Sequence, residues 1–221
     1  MDYQWIAQSQ LFSGISPKEV QEMLTCLESR VQTYQKGEYI YHMGEHTGQI
    51  GLVLSGSVNI EKSDIWGNCS ILDHVAPGNI FAEAYACSFG EPLMVDVVAA
   101  QNTDVLLLHV EKILKTCPTA CAYHSRLIRN LLMVMASKNL GLTRKINCIS
   151  PKTIRGKLSS YLSTQAQRQN SSEFTIPFNR QQLADYLGVD RSAMSHELSK
   201  MQKEGLLIVQ KNRFCVKEKL I

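Results

Sequence analysis

Glycine punctuates one part of the chain at regular intervals, and this spacing restricts the fold more than any other feature. Between residues 37 and 90, six of the eight glycines recur at intervals of 7 to 12 residues, at positions 37, 44, 56, 67, 78 and 90, while Gly48 and Gly51 fall between two of them. The β-rich runs in this region and just beyond it are short: residues 39–41, 50–54, 58–60, 70–72, 95–99 and 104–110. Short strands with turns at this spacing favour an antiparallel barrel or sandwich that ends near residue 110.

Helical periodicity replaces this pattern further along the chain. Between Pro118 and Gly141 there is neither glycine nor proline, and apolar residues return every three or four positions. The pattern predicts one helix of roughly 30 residues with an apolar stripe. The stripe consists of Ile128, Leu131, Leu132, Met135 and Leu142. It predicts either a seam between two copies of the chain or a helix that packs on its own β body.

Charge is distributed unevenly. Residues 1–150 contain 11 lysines and arginines against 14 aspartates and glutamates, whereas residues 151–221 contain 12 against 6. A basic C-terminal segment on a slightly acidic body is typical of a polyanion-binding module joined to a regulatory body. We therefore divide the chain into a β domain (1–110), a connecting segment with the long helix (111–149) and a basic domain (150–221).

Three further segments have clear local patterns. Ser16 and Pro17 predict the start of an N-terminal helix, because serine is a favourable N-cap and proline is tolerated in the first turn. Residues 152–162 have the apolar spacing of a helix, and the polar residues 165–172 predict a loop after it. A short strand is expected at residues 174–177, where Pro177 ends it.

Residues 179–198 contain the most informative pattern, which is two short helices separated by a three-residue break. The first helix, Arg180–Leu187, is ended by Gly188, because glycine adopts the left-handed conformation freely. Asp190 is a favourable N-cap for the second helix, whose Met194 and Leu198 face inward. This pattern predicts a helix-turn-helix. The candidates for reading base edges face outward near the start of the second helix: Arg191, Ser192, Ser195 and His196.

A hairpin is predicted after the second helix. The runs 206–210 and 213–216 are β-rich, and Asn212 in the turn between them suits a positive φ. Such a hairpin beside a helix-turn-helix forms a wing. The basic residues of this module are the candidates for phosphate contacts: Arg180, Lys200, Lys203, Lys211 and Arg213.

Both ends of the chain resemble the Crp/Fnr superfamily of bacterial transcription regulators. Residues 11–16, 37–40, 44–45 and 52–58 resemble its cyclic-nucleotide-type β-roll, and residues 190–198 resemble its recognition helix. The resemblance implies an α+β protein with an N-terminal antiparallel, jelly-roll-like β-roll, a long central dimerisation helix and a C-terminal winged helix-turn-helix. It implies a homodimer that binds a near-palindromic operator in double-stranded DNA, and it makes RNA polymerase a candidate partner.

The chain departs from the family at the expected effector pocket. Members that bind cAMP pair a glutamate with a later arginine that holds the cyclic phosphate. Here Glu83 is retained, whereas no arginine stands in the corresponding stretch of apolar residues 93–95. A phosphate without its guanidinium partner is costly in a partly desolvated pocket, so we expect that cAMP is not the effector. The candidate pocket residues are Phe81, Ala82, Glu83, Leu93, Met94 and Val95; the alternative is a filled β-roll core.

Other classes of protein are less consistent with the sequence, which predicts neither an enzyme nor a bound metal or other cofactor. Metal-binding cupin enzymes place two histidines one residue apart, whereas His42 and His46 are four apart. A protein-docking scaffold that uses the winged module remains a second alternative. The longest apolar run, residues 131–136, is too short to span a membrane, and no secretory pattern is present. Together with an odd number of cysteines, this predicts a cytoplasmic protein.

Overall fold

The computed structural model describes residues 1–63, 69–115 and 122–217. The chain forms two compact units, Met1–Ser137 and Lys138–Ile221, and the division falls inside the long helix of the connecting segment. Both units combine helices with antiparallel sheets, so the α+β class predicted from the sequence is confirmed.

The helices and strands follow one another in an order close to that predicted. In the first unit they are α1 (Tyr3–Gln8), α2 (Pro17–Cys26), β1 (Arg30–Tyr34), β2 (Tyr39–Tyr41), β3 (Gln49–Ser55), β4 (Val58–Ser63), β5 (Cys69–Val75), β6 (Ile80–Phe81), α3 (Glu83–Cys87), β7 (Asp96–Ala99), β8 (Thr103–His109) and α4 (Val110–Leu114). The long helix α5 (Ala122–Ile149) crosses the boundary. The second unit continues with α6 (Ile154–Gln169), β9 (Glu173–Thr175), α7 (Arg180–Leu187), α8 (Arg191–Lys203), β10 (Leu207–Gln210) and β11 (Arg213–Val216).

Two four-stranded antiparallel sheets form the β body, in the orders β1-β8-β3-β6 and β2-β7-β4-β5. Because side chains alternate along a strand, β3 directs Ile50 and Leu52 into a core shared with the helices and Val53 into the core between the sheets. Buried apolar side chains from both sheets pack together between them. Strands β1 and β6 and helices α1, α3 and α4 were not anticipated, because each is short and has no distinctive pattern.

The predicted turn glycines have the backbone conformation that their spacing implies. Positive φ angles are found at Gly37, Gly44, Gly56, Gly78 and Gly90; the predicted turn at Gly67 lies outside the described residues. At Gly56 an added Cβ would stand 2.4 Å from the Asn102 carbonyl oxygen, so no larger residue is accommodated without a shift of the backbone.

Helices cover one face of the β body. Helix α2 begins with a capping box in which Ser16 Oγ accepts a hydrogen bond from Glu19 N–H and the Glu19 carboxylate accepts one from Ser16 N–H. The first half of α5 packs on the same core through Leu127, Leu131 and Val134. Leu131 is only 3% exposed, so its assignment to an intermolecular seam is corrected: consecutive residues of a helix point about 100° apart, and Leu131 faces the chain's own β body.

The other apolar side chains of α5 lie on a different face. Ile128 and Met135 are partly buried at the edge of the first unit's core. Leu132 and Leu142 are more than 60% exposed, and Ile146 is 57% exposed. A long helix with this much exposed apolar surface has an unpartnered face in the isolated chain.

The second unit has its own core and a three-stranded antiparallel sheet in the order β10-β11-β9. Two local predictions are corrected there. Helix α6 continues to Gln169 through residues predicted as loop, because Gln, Ala and Arg are good helix formers, and Asn170 ends it with a φ of 46°. In the hairpin turn the positive φ belongs to Lys211, whereas Asn212 pairs with Ile176 through backbone and side chain.

Across the described ranges, no helix combines the length and apolar character needed to cross a lipid bilayer.

Candidate nucleic-acid interface

The first helix of the helix-turn-helix, α7, is closed at both ends by hydrogen bonds. Asn179 Oδ1 accepts from Gln182 N–H, and Gln182 Oε1 accepts from Asn179 N–H, both at 2.9 Å. At the other end Gly188 takes the left-handed conformation, with φ of 59°. Lys157 Nζ, from α6, donates to the carbonyl oxygens of Leu187 and Gly188 at 3.1 and 3.4 Å. The Gly188 conformation and the two hydrogen bonds from Lys157 therefore hold the turn before the second helix in place.

The second helix, α8, begins at the predicted N-cap. Asp190 Oδ1 accepts hydrogen bonds from Ser192 Oγ at 2.5 Å and from Ala193 N–H at 2.8 Å. These donors lower the pKa of Asp190 below its ordinary value, the Ser192 hydroxyl most strongly. The cap sets the start of α8 at Arg191.

The two helices pack through their apolar faces, as predicted. Leu183, Ala184 and Leu187 of α7 and Met194, Leu198 and Met201 of α8 are all buried. The small side chain of Ala184 lies in the same core. Burial of this face leaves the opposite face of α8 toward solvent.

The four predicted base-reading residues lie together on the first turns of α8, and their hydrogen-bonding capacities differ. Arg191 and His196 are exposed and form no side-chain hydrogen bond with another described residue. Ser192 Oγ donates to Asp190, and Ser195 Oγ donates to the Arg191 carbonyl oxygen at 2.9 Å. The guanidinium of Arg191 is thus the largest free donor group at the start of the helix.

The five predicted phosphate-binding residues are less uniform. Lys200, Lys203 and Lys211 are exposed. Arg213 forms an exposed ion pair with Glu173 at 3.0 Å. Arg180 lies partly buried over the Phe214 ring, 5.4 Å from its centroid, and burial lowers its pKa. The structure places all five around the helix-turn-helix and wing; their contact with phosphate stays a prediction.

A residue that sequence reasoning missed ties α6 to the second helix. Arg155 Nε donates to Glu197 at 2.5 Å, and its two terminal nitrogens donate to Glu204 at 2.8 and 2.9 Å. These hydrogen bonds, with those to Glu204 dominant, raise the pKa of Arg155 and keep it charged. Glu197 and Glu204 lie 42 and 49 residues from Arg155, so no local pattern in the sequence could have indicated the pairing.

The predicted effector residues of the β body are mostly part of its packed interior. Phe81 and Leu93 are each 1% exposed and belong to the core between the sheets. An added Cβ at Gly51 would lie 2.1 Å from the Phe81 ring, which shows how closely strand β3 approaches it. Met94 differs from the expectation: its side chain is 67% exposed and is not part of this interior.

The retained glutamate lies at the start of a short helix. Glu83 is 8% exposed and opens α3 directly after Ala82, whose φ is 61°. Ala82 and Val95 are partly buried. No arginine is present between residues 81 and 95, so the guanidinium that would hold a cyclic phosphate is missing from this stretch. Within the described ranges, no cluster of three or more histidine, cysteine, aspartate or glutamate residues is suited to hold a metal ion.

Two known protein families match the chain, one in its N-terminal part and one in its C-terminal part. Residues 31–119 match the cyclic nucleotide-binding domain, and residues 156–219 match the Crp-like helix-turn-helix domain. The first match falls on the β body and the second on the unit that contains α7, α8 and the wing.

Relatives and solved structures cover nearly the whole chain. The cyclic AMP receptor protein of Thermus thermophilus is 24% identical over 202 residues, which are 90% of this chain and 88% of that protein. The crystal structure of the catabolite activator protein from Thermus thermophilus has a TM-score of 0.56 at 23% identity and covers 95% of this chain and 94% of that one. CprK in complex with OCPA has a TM-score of 0.65 at 14% identity, over 91% of both chains. These structural similarities identify the fold.

Proposed function

We propose, from the premise that this chain belongs to the Crp/Fnr superfamily, that it is a homodimer that reads a specific operator through Arg191 and senses a signal other than cAMP. The chain is a transcription regulator of the Crp/Fnr type, with a cyclic-nucleotide-binding-type sensor domain and a helix-turn-helix DNA-binding domain.

The observation that carries the proposal is the free guanidinium at the capped start of α8. In helix-turn-helix proteins the second helix enters the major groove, and its first residues contact base edges. A planar guanidinium matches the O6 and N7 acceptors of guanine, and Arg191 has no competing partner among the described residues. His196, one turn along the helix, is the second candidate. The hydroxyl protons of Ser192 and Ser195 are donated to Asp190 and to the Arg191 carbonyl oxygen, so these hydroxyls are free only to accept hydrogen bonds, as from the amino group of a base.

Dimerisation through α5 is supported by its exposed face. Ile128, Leu132, Met135, Leu142 and Ile146 occupy one heptad seam, and Asn139 is the polar residue within it. Two copies that pair along this seam would bury the exposed leucines and the isoleucine. A two-fold dimer places two α8 helices about 34 Å apart, which predicts a near-palindromic operator with half-sites one helical turn apart.

We exclude cAMP as the effector because of the residues that the β body offers in place of the cyclic-phosphate site. Between Phe81 and Val95 there is no arginine for a cyclic phosphate, and Phe81 and Leu93 occupy the interior between the sheets. A buried phosphate without a guanidinium is strongly disfavoured. An uncharged or organic-acid effector, or none, is consistent with this interior. Titration of operator binding with cAMP tests this part: unchanged DNA affinity is expected, and a saturable change in affinity would contradict it.

Selection of bound sequences from random double-stranded DNA tests the DNA-reading role. The wild-type chain is expected to enrich a near-palindrome. Arg191→Ala is expected to lose about 1–3 kcal/mol on that operator and to relax the preference at one base pair in each half-site. Lys211→Ala is the matched control, because loss of a phosphate contact weakens binding to all sequences alike.

Two outcomes would contradict this proposal. An unchanged base preference in Arg191→Ala would remove the residue from its role. DNA affinity that does not fall steeply with salt would favour a protein-docking scaffold instead, since about six phosphate contacts predict a loss of roughly a thousandfold between about 50 and 200 mM.

A further inference from the structure

Two neighbouring cavities lie within the second unit, away from the exposed face of α8. The larger has a volume of about 420 Å³, is open to solvent on one side and is lined by α6, α7 and the segment between β9 and α7. The smaller, of about 130 Å³, lies between α6, α7 and the end of α5. Four residues line both cavities: Tyr161, Gln165, Arg168 and Tyr186. The larger volume lies in the range of pockets that bind small organic molecules.

Aromatic rings form much of the lining. The ring centroids of Phe178 and Tyr186 are 5.0 Å apart, and those of Tyr161 and Tyr186 are 5.5 Å apart. Phe178 and Tyr186 are only partly buried, so their surfaces remain available to a third ring. Such a cluster favours a planar ligand, because aromatic rings gain from stacked and edge-to-face contacts beyond the burial of area.

The charged residues that line the two cavities are all positive. Arg168 lines both cavities and Arg144 lines the smaller one, whereas no aspartate or glutamate lines either. Neither guanidinium forms an ion pair with a carboxylate of another described residue. Lys145 adds a third positive charge, 5.6 Å from the centroid of the Tyr186 ring. An unpaired cluster of this kind attracts an anion, and guanidinium groups bind carboxylates by paired hydrogen bonds.

We propose that these cavities form a second small-molecule site, which takes a planar aromatic carboxylate. The ring of the ligand packs on Phe178 and Tyr186, and its carboxylate accepts hydrogen bonds from Arg168. This site goes beyond the proposed function, because none of its lining residues belongs to the base-reading set or to the β body. Tyr186 is part of α7, so an occupant would contact the helix on which α8 packs.

Calorimetric titration of the full chain with 2-naphthoate and with uncharged 2-naphthamide tests the proposal. One saturable site per chain is expected for the carboxylate, with binding of the amide at least about tenfold weaker. Arg168→Gln is expected to weaken 2-naphthoate binding about tenfold while the apo chain remains folded, because Arg168 is exposed and only its guanidinium is removed.

Arg129→Gln is the matched control, because Arg129 is an equally exposed arginine on α5 that lies in the first unit and lines neither cavity. Its affinity for 2-naphthoate should equal that of the wild type. The proposal is overturned if 2-naphthoate does not bind, if 2-naphthamide binds equally well, or if Arg168→Gln leaves the affinity unchanged.

Discussion

The predicted effector residues of the β body face other side chains, whereas the predicted base-reading residues of the winged unit face solvent. Phe81 and Leu93 belong to a core of buried apolar side chains between two sheets. Arg191 and His196 project from a helix whose opposite side is buried. Both ends of the chain match their families, so sequence similarity alone does not distinguish these two situations.

The two regions differ in how far apart in the chain the residues that determine each position lie. An outward-facing residue needs only the helical period and an N-cap to reach its position, and both are local. The interior of the β body depends on contacts between two sheets, so a few substitutions change what it can hold. The following experiments test this contrast, in order of expected effect.

Leu131→Ala and Leu132→Ala compare a buried and an exposed residue of the same helix. Leu131 packs on the β body, so its truncation is expected to lower the free energy of unfolding by about 3 kcal/mol. Leu132 is exposed, so its truncation is expected to change the intrinsic stability of the chain by less than about 0.5 kcal/mol and to weaken self-association instead. Urea unfolding at several protein concentrations and sedimentation equilibrium separate the two effects. Equal loss of stability in both variants would contradict the assignment of faces.

Gly51→Ala tests whether the β body is filled. Its new methyl group would overlap the Phe81 ring, and overpacking of this kind is expected to cost about 2 kcal/mol of unfolding free energy. Gly48→Ala is the matched control, because no atom lies within 4 Å of a Cβ at that position and its φ is not positive. Circular dichroism in urea measures both. Similar stability of the two variants would mean that the interior can accommodate added volume.

Asn179→Ala tests the capping of α7. Loss of the side-chain acceptor is expected to lower the free energy of unfolding by about 1 kcal/mol, while Asn179→Ser, which keeps an acceptor, should change it by only about 0.3 kcal/mol. The same urea titration applies. If serine and alanine are equally destabilising, the capping box does not contribute as described.

The pH dependence of Asp190 is the smallest expected effect. The hydrogen bonds from Ser192 and Ala193 lower its pKa in the folded chain below the ordinary value of 3.8. Its contribution to stability is therefore fully present above that ordinary value and is lost as the pH falls through the lowered pKa. Asp190→Asn keeps an acceptor but does not titrate. The difference in thermal midpoint between wild type and this variant should change between about pH 6 and pH 3; a constant difference would exclude a role for the charge.

Several features of the fold were predictable because they depend on neighbours in the chain. The turn glycines, the capping box at Ser16, the end of α7 at Gly188 and the cap at Asp190 each follow from backbone conformation or from a hydrogen bond within a few residues. The outward position of Arg191 follows from the same local rules. The exceptions, such as α6 continuing to Gln169, concern polar residues that are tolerated in both helix and loop.

The sequence by itself thus determined the class of fold, the boundaries of the helix-turn-helix and the residues on the outer face of its second helix. Only the tertiary structure decided which side of α5 packs on the β body, that Arg155 pairs with Glu197 and Glu204, and that Tyr161 lies buried between two cavities. The physical reason is the separation along the sequence of the residues that interact. Caps and turns are made by residues within about one helical turn of each other. Packing and long-range ion pairs depend on residues that folding brings together from distant parts of the chain.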